Sequence, residues 1–394
     1  MNVIQVQFRR SSFTWLAYVM LGFYAFLQAA PGPLMPFLRA ENDYSYTVGG
    51  LHFSAFALGM MAAGLTAELV VRRFGRKPVF WVGAAGMAAG AVLLALGAGA
   101  LATIGAALMM GLVGSHVLVV IQAGLADHHG SSRAVALTEA NVMASLCAGL
   151  APLSVGLAAR WQLGWRAGLL LPLVGLALIA AFAWRTHVPP RPTARPADDP
   201  VGPATLPSVF WLFWIVLVLG VSVEWSLVYW GAAFLEQVGG LPVELAAATM
   251  SVFFIAAVIG RLLVSRLARQ VTTSPLLLAN LLLSLIGFLL FWLARVPALN
   301  VLGLFLAGLG ISNVFPLGLA AATGLDPEQS DRASARILLG GGLAIFGAPF
   351  VLGWLADRIG LAAGYGTSLV LILLAIAVML VASRFSRAPA RQAV

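Results

Sequence analysis

The chain has 394 residues, of which 61% are hydrophobic and only 9% are charged. Since a soluble globular domain carries roughly 25% charged residues, this composition excludes a chain that faces water on all sides and predicts a protein embedded in lipid. The net charge of +9 requires no nucleic-acid partner, because arginines at the cytoplasmic ends of membrane spans give the same excess. The single cysteine, Cys147, excludes an internal disulfide and argues against a cysteine metal site.

Runs of about 20 mostly apolar residues, the length of a membrane-spanning helix, recur along the chain. The first run is too long for the core of a signal peptide and ends in a Pro-rich stretch, so we interpret it as a true span. The predicted spans are 13–38, 46–71, 79–99, 102–126, 138–159, 166–185, 208–235, 244–268, 274–295, 298–322, 333–356 and 362–384. Twelve spans place both termini on one side of the membrane.

The distribution of Lys and Arg predicts which side that is. With the amino terminus in the cytoplasm, 18 of the 23 Lys and Arg residues fall in cytoplasmic ends and loops. The five on the outer side are Arg39, Arg160, Arg166, Arg295 and Arg358. Because cytoplasmic loops are enriched in Lys and Arg, we expect both termini in the cytoplasm of a bacterial inner membrane.

The longest polar stretch, Arg185 to Ser208, is rich in proline and charge and follows span six. We expect a six-helix bundle at 1–186, a cytoplasmic central loop at 187–207 and a second six-helix bundle at 208–394. The two halves resemble each other: "GLVGSHV" from Gly111 matches "GLGISNV" from Gly308, and "GLAPLSVGLAARW" matches "GAPFVLGWLADRI". Aligning Ser115 with Ser312, or Pro152 with Pro349, gives the same offset, which predicts parallel six-span repeats.

Twelve spans, a repeat of six and a polar central loop resemble the major facilitator superfamily. The family's loop after span two reads Gly-x-Leu-Ala-Asp-Arg-x-Gly-Arg-Lys/Arg, and this chain has "ELVVRRFGRK" there, with Glu68 and Arg72 replacing the family's Gly and Asp. The resemblance implies an all-α membrane protein of the major facilitator fold, with a latch at this loop. The candidate gating residues are Glu68, Arg72, Arg73, Gly75, Arg76 and Glu139.

Three details qualify this interpretation. Gly75 suits a tight turn, and Glu68 lies four residues before Arg72, so the two are expected to pair. The loop after span eight reads "GRLLVSRLAR", a degenerate form of the motif. The stretch "GWLADRIG" fits the motif better but follows span eleven, so Asp357 and Arg358 are expected to form a pair in an outer loop.

By the same resemblance, spans one, four, seven and ten line a central substrate cavity. The candidate substrate-binding residues in these spans are Tyr24, Gln28, Ser115, His116, Gln122, Trp225, Tyr229, Trp230 and Asn313. Packing is the alternative for His116 and Asn313, and anchoring at the membrane interface is the alternative for the aromatic residues. A helix break near Phe315 and Pro316 is expected to free carbonyl groups, and Glu139 suits gating or the start of span five equally well.

Glu224 is the one charged residue between Pro207 and Phe234, in the middle of an apolar span. A carboxylate at the bilayer centre costs about 2.5–3.5 kcal/mol on insertion scales, so it is expected to face the bundle or a water-filled cavity. Desolvation favours the protonated form of a carboxyl group, and a carboxyl that exchanges its proton can carry it across the membrane. We predict that Glu224 couples transport to protons; a direct substrate ligand and a packing residue are the alternatives.

The sequence therefore predicts a secondary transporter, not an enzyme, with a small solute, protons and the lipid bilayer as its partners. The chain has no phosphate-binding loop with lysine, and neither a metal nor a cofactor is expected. A drug-type proton antiporter remains an alternative, and "VEWSLVYW" with "GISNVFP" loosely resembles the sugar-importing fucose-permease branch. A membrane sensor or assembly partner that transports nothing is a third alternative, and a monomer is expected.

Overall fold

The computed structural model describes residues 8–190, 206–326 and 329–386. Most of the predicted central loop, with Arg191 and Arg195, and the terminal cations Arg387 and Arg391 lie outside these residues. The helices are α1 Ser12–Ala29, α2 Pro31–Asn42, α3 Tyr46–Phe74, α4 Arg76–Leu96, α5 Ala100–Met109, α6 Ser115–His129, α7 Arg133–Arg160, α8 Trp165–Ala183, α9 Ser208–Gln237, α10 Val243–Thr249, α11 Ser251–Leu267, α12 Thr273–Leu293, α13 Pro297–Ile311, α14 Val314–Thr323, α15 Ser330–Ile359, α16 Leu361–Gly364 and α17 Gly366–Ser386.

These helices make twelve passes, as the apolar runs predicted. The described residues contain 11 continuous helical stretches that are long and apolar enough to cross a membrane, and one of these, Ala100–Arg160, has 61 residues. A straight helix of that length would extend about 90 Å, roughly three times the bilayer core. It turns back instead at Gly130, where φ is 50°, and so contributes two passes.

The predicted boundaries of spans two and five were wrong, because in both cases the helix continues past the apolar run into charged residues. Span five begins at Arg133 and not at residue 138, and span two runs on to Phe74. Span eight ends at Leu267, next to the predicted residue 268, but most of "GRLLVSRLAR", which was interpreted as the loop after this span, is therefore helix. Charged side chains at a helix end reach water while their backbone stays helical, which hydropathy alone does not reveal.

The internal repeat appears as paired hydrogen bonds between the halves. The hydroxyl of Ser54 donates to the carbonyl of Phe346 (2.7 Å), and the hydroxyl of Ser251 donates to the carbonyl of Gly149 (2.8 Å). The two donors, Ser54 and Ser251, are separated by the same number of residues as the two acceptors, Gly149 and Phe346. This separation is also the offset that aligns Ser115 with Ser312. Spans two and eleven therefore meet as spans eight and five do.

The repeat also places a helix irregularity at the same point of spans four and ten. Span four contains a π-helical turn, Met110–Gly114, and span ten is interrupted at Ser312 and Asn313. The break in span ten was predicted near Pro316, but it lies one turn earlier. The reason is that Pro316 has no N–H group to donate to the carbonyl of Ser312.

The two ends of the bundle differ in how the halves meet. We call the end that carries Arg10, Arg76 and Asp127 the Arg10 face, and the end that carries Glu41, Arg166 and Asp357 the Asp357 face. On the Asp357 face the halves are in contact, since Gly353 of α15 lies against the backbone of Tyr46 at the start of α3.

On the Arg10 face the ends of α3 and α11 are largely exposed, and Leu65 and Leu69 of α3 are 81% and 70% exposed. The bundle is therefore closed at the Asp357 face, where the two halves are in contact.

Candidate functional site

A cavity of about 180 Å³ lies between the halves, at the middle of the bundle. It is lined by α1, α7, α9 and α11, so both halves contribute to it. Its polar lining residues are Gln28, Asn141, Ser145, Glu224 and Arg261. Among the predicted site residues, Gln28, Glu224 and Trp225 line it.

Glu224 and Arg261 are the two charged residues among those that line the cavity. The guanidinium of Arg261 donates to the hydroxyl of Ser145, which joins α11 to α7 across the two halves. Within the described part of the chain, Glu224 and Arg261 form no salt bridge with each other, although they share the cavity. The cavity is thus lined by one acid and one base.

Arg261 was not predicted as a site residue; it was counted among the cytoplasmic cations. The signal was present in the sequence, because Arg261 follows the apolar run Ser251–Gly260 and precedes Leu262, Leu263 and Val264. The prediction missed it because "GRLLVSRLAR" was interpreted as a cytoplasmic loop by its resemblance to the family motif, whereas α11 continues for six residues beyond Arg261.

Three aromatic residues close the cavity toward the Asp357 face. The rings of Phe53 and Tyr229 are stacked in parallel, with centroids 4.0 Å apart, and Trp230 packs edge-on against Phe53 at 5.3 Å. The indole N–H of Trp230 also donates to the carbonyl of Pro349 in α15 (2.7 Å). Tyr229 and Trp230, predicted to bind substrate, are thus placed in a buried seal between the halves, while Trp225 lies in the cavity.

Three other predicted site residues are engaged in buried hydrogen bonds within one half. The hydroxyl of Tyr24 lies 2.9 Å from that of Ser115, which links spans one and four. The side-chain amide of Asn313 donates to Asn280 (3.1 Å) and to the carbonyl of Leu309 (2.8 Å), at the break in span ten. These residues are not among those that line the central cavity.

His116 and Gln122 also lie away from the central cavity. His116 lines a separate apolar cavity of about 320 Å³ between α3, α4 and span four, and its ring bonds to the carbonyl of Leu112 (2.9 Å). Gln122 is exposed, two turns further along α6. Ser115 and Gln122 are seven residues apart on α6, as the helical spacing predicted, but Ser115 is buried against Tyr24 whereas Gln122 is exposed.

Five of the six candidate gating residues lie at or near the turn between α3 and α4. Gly75 has φ 83°, which only glycine adopts without strain, and it joins the two helices as the predicted tight turn. Arg76 is buried and forms a salt bridge with Asp127 of α6, and it also donates to the carbonyl of Pro190 (3.2 Å). Glu68, Arg72 and Arg73 lie on the exposed surface of the last turns of α3.

Glu139 bonds within the amino-terminal half. It accepts from Arg10 (2.8 Å to Nε) and from the hydroxyl of Tyr18 (3.0 Å). A role at the start of span five was wrong, because α7 begins at Arg133 and Glu139 lies in its second turn.

Asp357 and Arg358 are not the outer-loop pair that was expected. Both lie in the last turn of α15, and the carboxylate of Asp357 accepts from the backbone N–H groups of Tyr46 and Thr47 (both 2.7 Å). Those N–H groups belong to the first turn of α3, where a helix leaves its donors unsatisfied. Arg358 stacks instead on Trp354, with its guanidinium carbon 3.7 Å from the ring centre.

Known proteins with similar sequences are membrane transporters by name. The chain is 26% identical, over 358 residues, to an uncharacterized MFS-type transporter of Yersinia pestis. The aligned region covers 88% of this chain and 89% of the relative. It is also 26% identical to the glucose/mannose transporter GlcP of Bacillus subtilis over 137 residues, and this aligned region is 34% of each chain.

Solved structures share the fold at low identity. An inward-facing, unoccupied bacterial homologue of the human lysosomal transporter Spinster superposes with a TM-score of 0.79 at 16% identity, covering 95% of this chain and 97% of that one. The nucleoside transporter NupG superposes with a TM-score of 0.75 at 14% identity, covering 96% and 100%. The family model described as Major Facilitator Superfamily matches residues 15–349, and the chain therefore belongs to the Major Facilitator Superfamily of membrane transporters.

Proposed function

We propose that this protein is a secondary transporter that moves a small polar organic solute across a bacterial inner membrane together with protons, with Glu224 as the proton-carrying residue. The observation that carries the proposal is the position of Glu224. It is the one carboxyl group in the apolar stretch between Pro207 and Phe234, and it lines a cavity to which both halves contribute. Secondary transporters bind their substrate and coupling ion near the bilayer midplane, at the interface of two repeats.

The cost of placing Glu224 there supports a functional role. A charged side chain at the centre of a bilayer is expensive, so such residues commonly mark ion pathways or proton relays. A packing residue would gain from a hydrogen bond to a neighbouring helix. In the described part of the chain no hydrogen bond of Glu224 is present, and its carboxyl group borders open space instead.

The lining of the cavity favours a polar solute over the hydrophobic compounds of a drug-type exporter. Gln28, Asn141 and Ser145 supply amide and hydroxyl groups beside the two charged residues. The substrates in the names of two similar proteins, glucose or mannose and nucleosides, are also small polar solutes. Trp225 and Phe254 provide apolar surface against which a sugar or an aromatic ring packs.

The surplus of Lys and Arg on one side supports placing both termini in the cytoplasm. The Arg10 face is then cytoplasmic, and the conformation is open to the inside. In this state the substrate has access to the cavity from the cytoplasm, past Asn141 and Arg261, which are exposed. We further propose that the bundles at 1–186 and 208–394 rock about the cavity and that a monomer carries out the whole cycle.

The test measures proton movement. The protein is reconstituted into liposomes that contain a pH-sensitive dye, and sugars, nucleosides and organic acids are added one at a time without an imposed gradient. We expect at least one solute to drive a change in internal pH in the wild type. In Glu224→Gln that change should disappear, while Glu236→Gln, which removes a carboxylate from the far end of the same helix, should retain it. An unaltered signal in Glu224→Gln would contradict proton transfer through this residue.

A further inference from the structure

The second charged residue of the cavity, Arg261, points to the chemical class of the substrate. We infer that the substrate carries a carboxylate group, that this group binds to the guanidinium of Arg261, and that it enters together with a proton on Glu224. This inference rests on the proposed transport function and makes it more specific.

Arg261 has donors to spare. A guanidinium group carries five N–H donors and no acceptor. One of them donates to the hydroxyl of Ser145, and elsewhere in the described residues no side chain or carbonyl accepts from Arg261. Because the residue borders the cavity, the remaining donors are available to a bound solute. Arginine and carboxylate form paired, parallel hydrogen bonds whose planar geometry suits such a site.

The charges of the cavity link this binding to a proton. With the cavity empty and Glu224 ionised, the acid and the base balance each other. A bound carboxylate would leave two negative charges against one positive charge in a site of low dielectric constant, which is costly. A proton on Glu224 restores the balance. The anion and the proton therefore favour each other's binding, and their joint movement carries no net charge.

Among the residues that the structure describes, no other charged group lines this cavity, so no other lining group there competes for the proton. The neighbouring elements contribute Tyr24 and Gln28 from α1, Asn141 and Ser145 from α7, and Tyr229 on α9 itself. The amides and the hydroxyl of Ser145 do not titrate, and phenols ionise only near pH 10. Tyr365, whose hydroxyl donates to the carbonyl of Ser226 behind α9, is likewise a phenol.

The test compares each carboxylate with a neutral molecule of similar shape. The pairs are acetate and acetamide, benzoate and benzamide, and gluconate and glucose; the readout is the apparent melting temperature of the purified protein at pH 6 and at pH 8. We expect at least one carboxylate to stabilise the wild type at pH 6, with its neutral partner ineffective, and we expect the apparent affinity to fall at least tenfold at pH 8.

Variants distinguish the role of Arg261 from that of Glu224. Arg261→Gln should abolish the stabilisation, Arg261→Lys should retain part of it, and Arg266→Gln, on the exposed end of the same helix, should leave it unchanged. Glu224→Gln should retain it at both pH values, because the side chain is neutral throughout. A merely structural role of Arg261 would not produce this difference in pH dependence between the variants.

Three results would overturn the inference: equal stabilisation by a carboxylate and its neutral partner, an unchanged response in Arg261→Gln, or no response of the wild type to any carboxylate at pH 6. The proposed function fails separately. If glucose drives proton movement that depends on Glu224, the substrate is not an anion but proton-coupled transport stands. If no solute moves protons, the transport proposal itself is wrong.

Discussion

At the scale of single residues, Asp357 shows how one side chain holds the two halves together. Its carboxylate binds two backbone N–H groups at the start of α3, so an acid of the second half completes a helix of the first. A negative charge is favourable at this position, because the amino-terminal end of a helix carries partial positive charge. The bond exists only while the Asp357 face is closed, and we expect it to stabilise this conformation.

Replacing Asp357 with Asn should shift the protein toward the conformation that is open at this face. Asparagine keeps an acceptor oxygen but removes the negative charge, which contributes about 0.3–1 kcal/mol at a helix amino terminus and corresponds to a roughly twofold to fivefold shift in the equilibrium. Spin labels at Asp43 and Val238, one in each half, would report the shift as a larger share of long distances. Arg358→Gln is the matched control, and equal distance distributions in Asp357→Asn and the wild type would contradict the proposed role.

Arg76 and Arg73 belong to the same motif, but we expect their loss to have different effects. Arg76 is buried and binds Asp127, whereas Arg73 lies on the surface. Arg76→Gln removes a charged hydrogen bond and should lower the stability of the protein by about 1–2 kcal/mol. Arg73→Gln should leave the melting temperature almost unchanged. Similar melting temperatures for both variants would show that the salt bridge contributes little.

The sequence was informative about single residues where chemistry alone marks them. Glu224 stood out because a carboxylate in an apolar span is costly whichever side of the helix it occupies. Arg261 did not, because it lies in "GRLLVSRLAR", which was interpreted as a cytoplasmic loop by resemblance to the family motif. His116 and Asn313 look alike as polar residues in equivalent spans, and only packing shows that one faces an apolar cavity and the other bonds to Asn280.

At the scale of helices, the close contacts between α3 and α15 depend on small residues. A methyl group at Gly353 would lie 2.6 Å from the carbonyl oxygen of Tyr46, and one at Gly50 would lie 3.0 Å from the backbone of Phe350. Small residues at helix interfaces let backbones approach closely in membrane proteins. Hydropathy predicted these helices well, since their length follows from bilayer thickness. It carried no information on which faces of the helices meet.

A bulky residue at Gly353 should therefore prevent closure at the Asp357 face. In Gly353→Val the side chain would collide with the backbone of Tyr46, so net transport should fall to a small fraction of the wild type while the protein still folds in its other conformation. Gly347→Val on the same helix is the control, because no atom lies near the position its side chain would occupy. Equal transport rates of the two variants would exclude a requirement for close approach.

At the scale of the whole molecule, alternating access needs two arrangements of the same helices. The paired bonds of Ser54 and Ser251 show that the two halves contact each other in equivalent ways on the Asp357 face. The sequence predicted this repeat from two short matches at one offset. It did not predict which face is closed, because this depends on contacts between distant residues.

The orientation of the molecule is a further prediction. The sequence assigns 18 of the 23 Lys and Arg residues to the predicted cytoplasmic side, which includes Arg10 and Arg76, so the Arg10 face should be cytoplasmic. A reporter fused after Val394 should be active only as a cytoplasmic enzyme. Activity of a periplasmic reporter at this position, with an inactive cytoplasmic one, would reverse the assignment.

The most direct measurement of proton coupling compares two transport modes in Glu224→Gln. The substrate is the solute that moves protons in the wild type. Glutamine keeps the size of the side chain and stays neutral, so exchange of labelled for unlabelled substrate should persist at a rate within a few-fold of the wild type. Uptake driven by a pH gradient should be lost, because no proton can be released. Gradient-driven uptake that persists in Glu224→Gln would contradict proton coupling through Glu224.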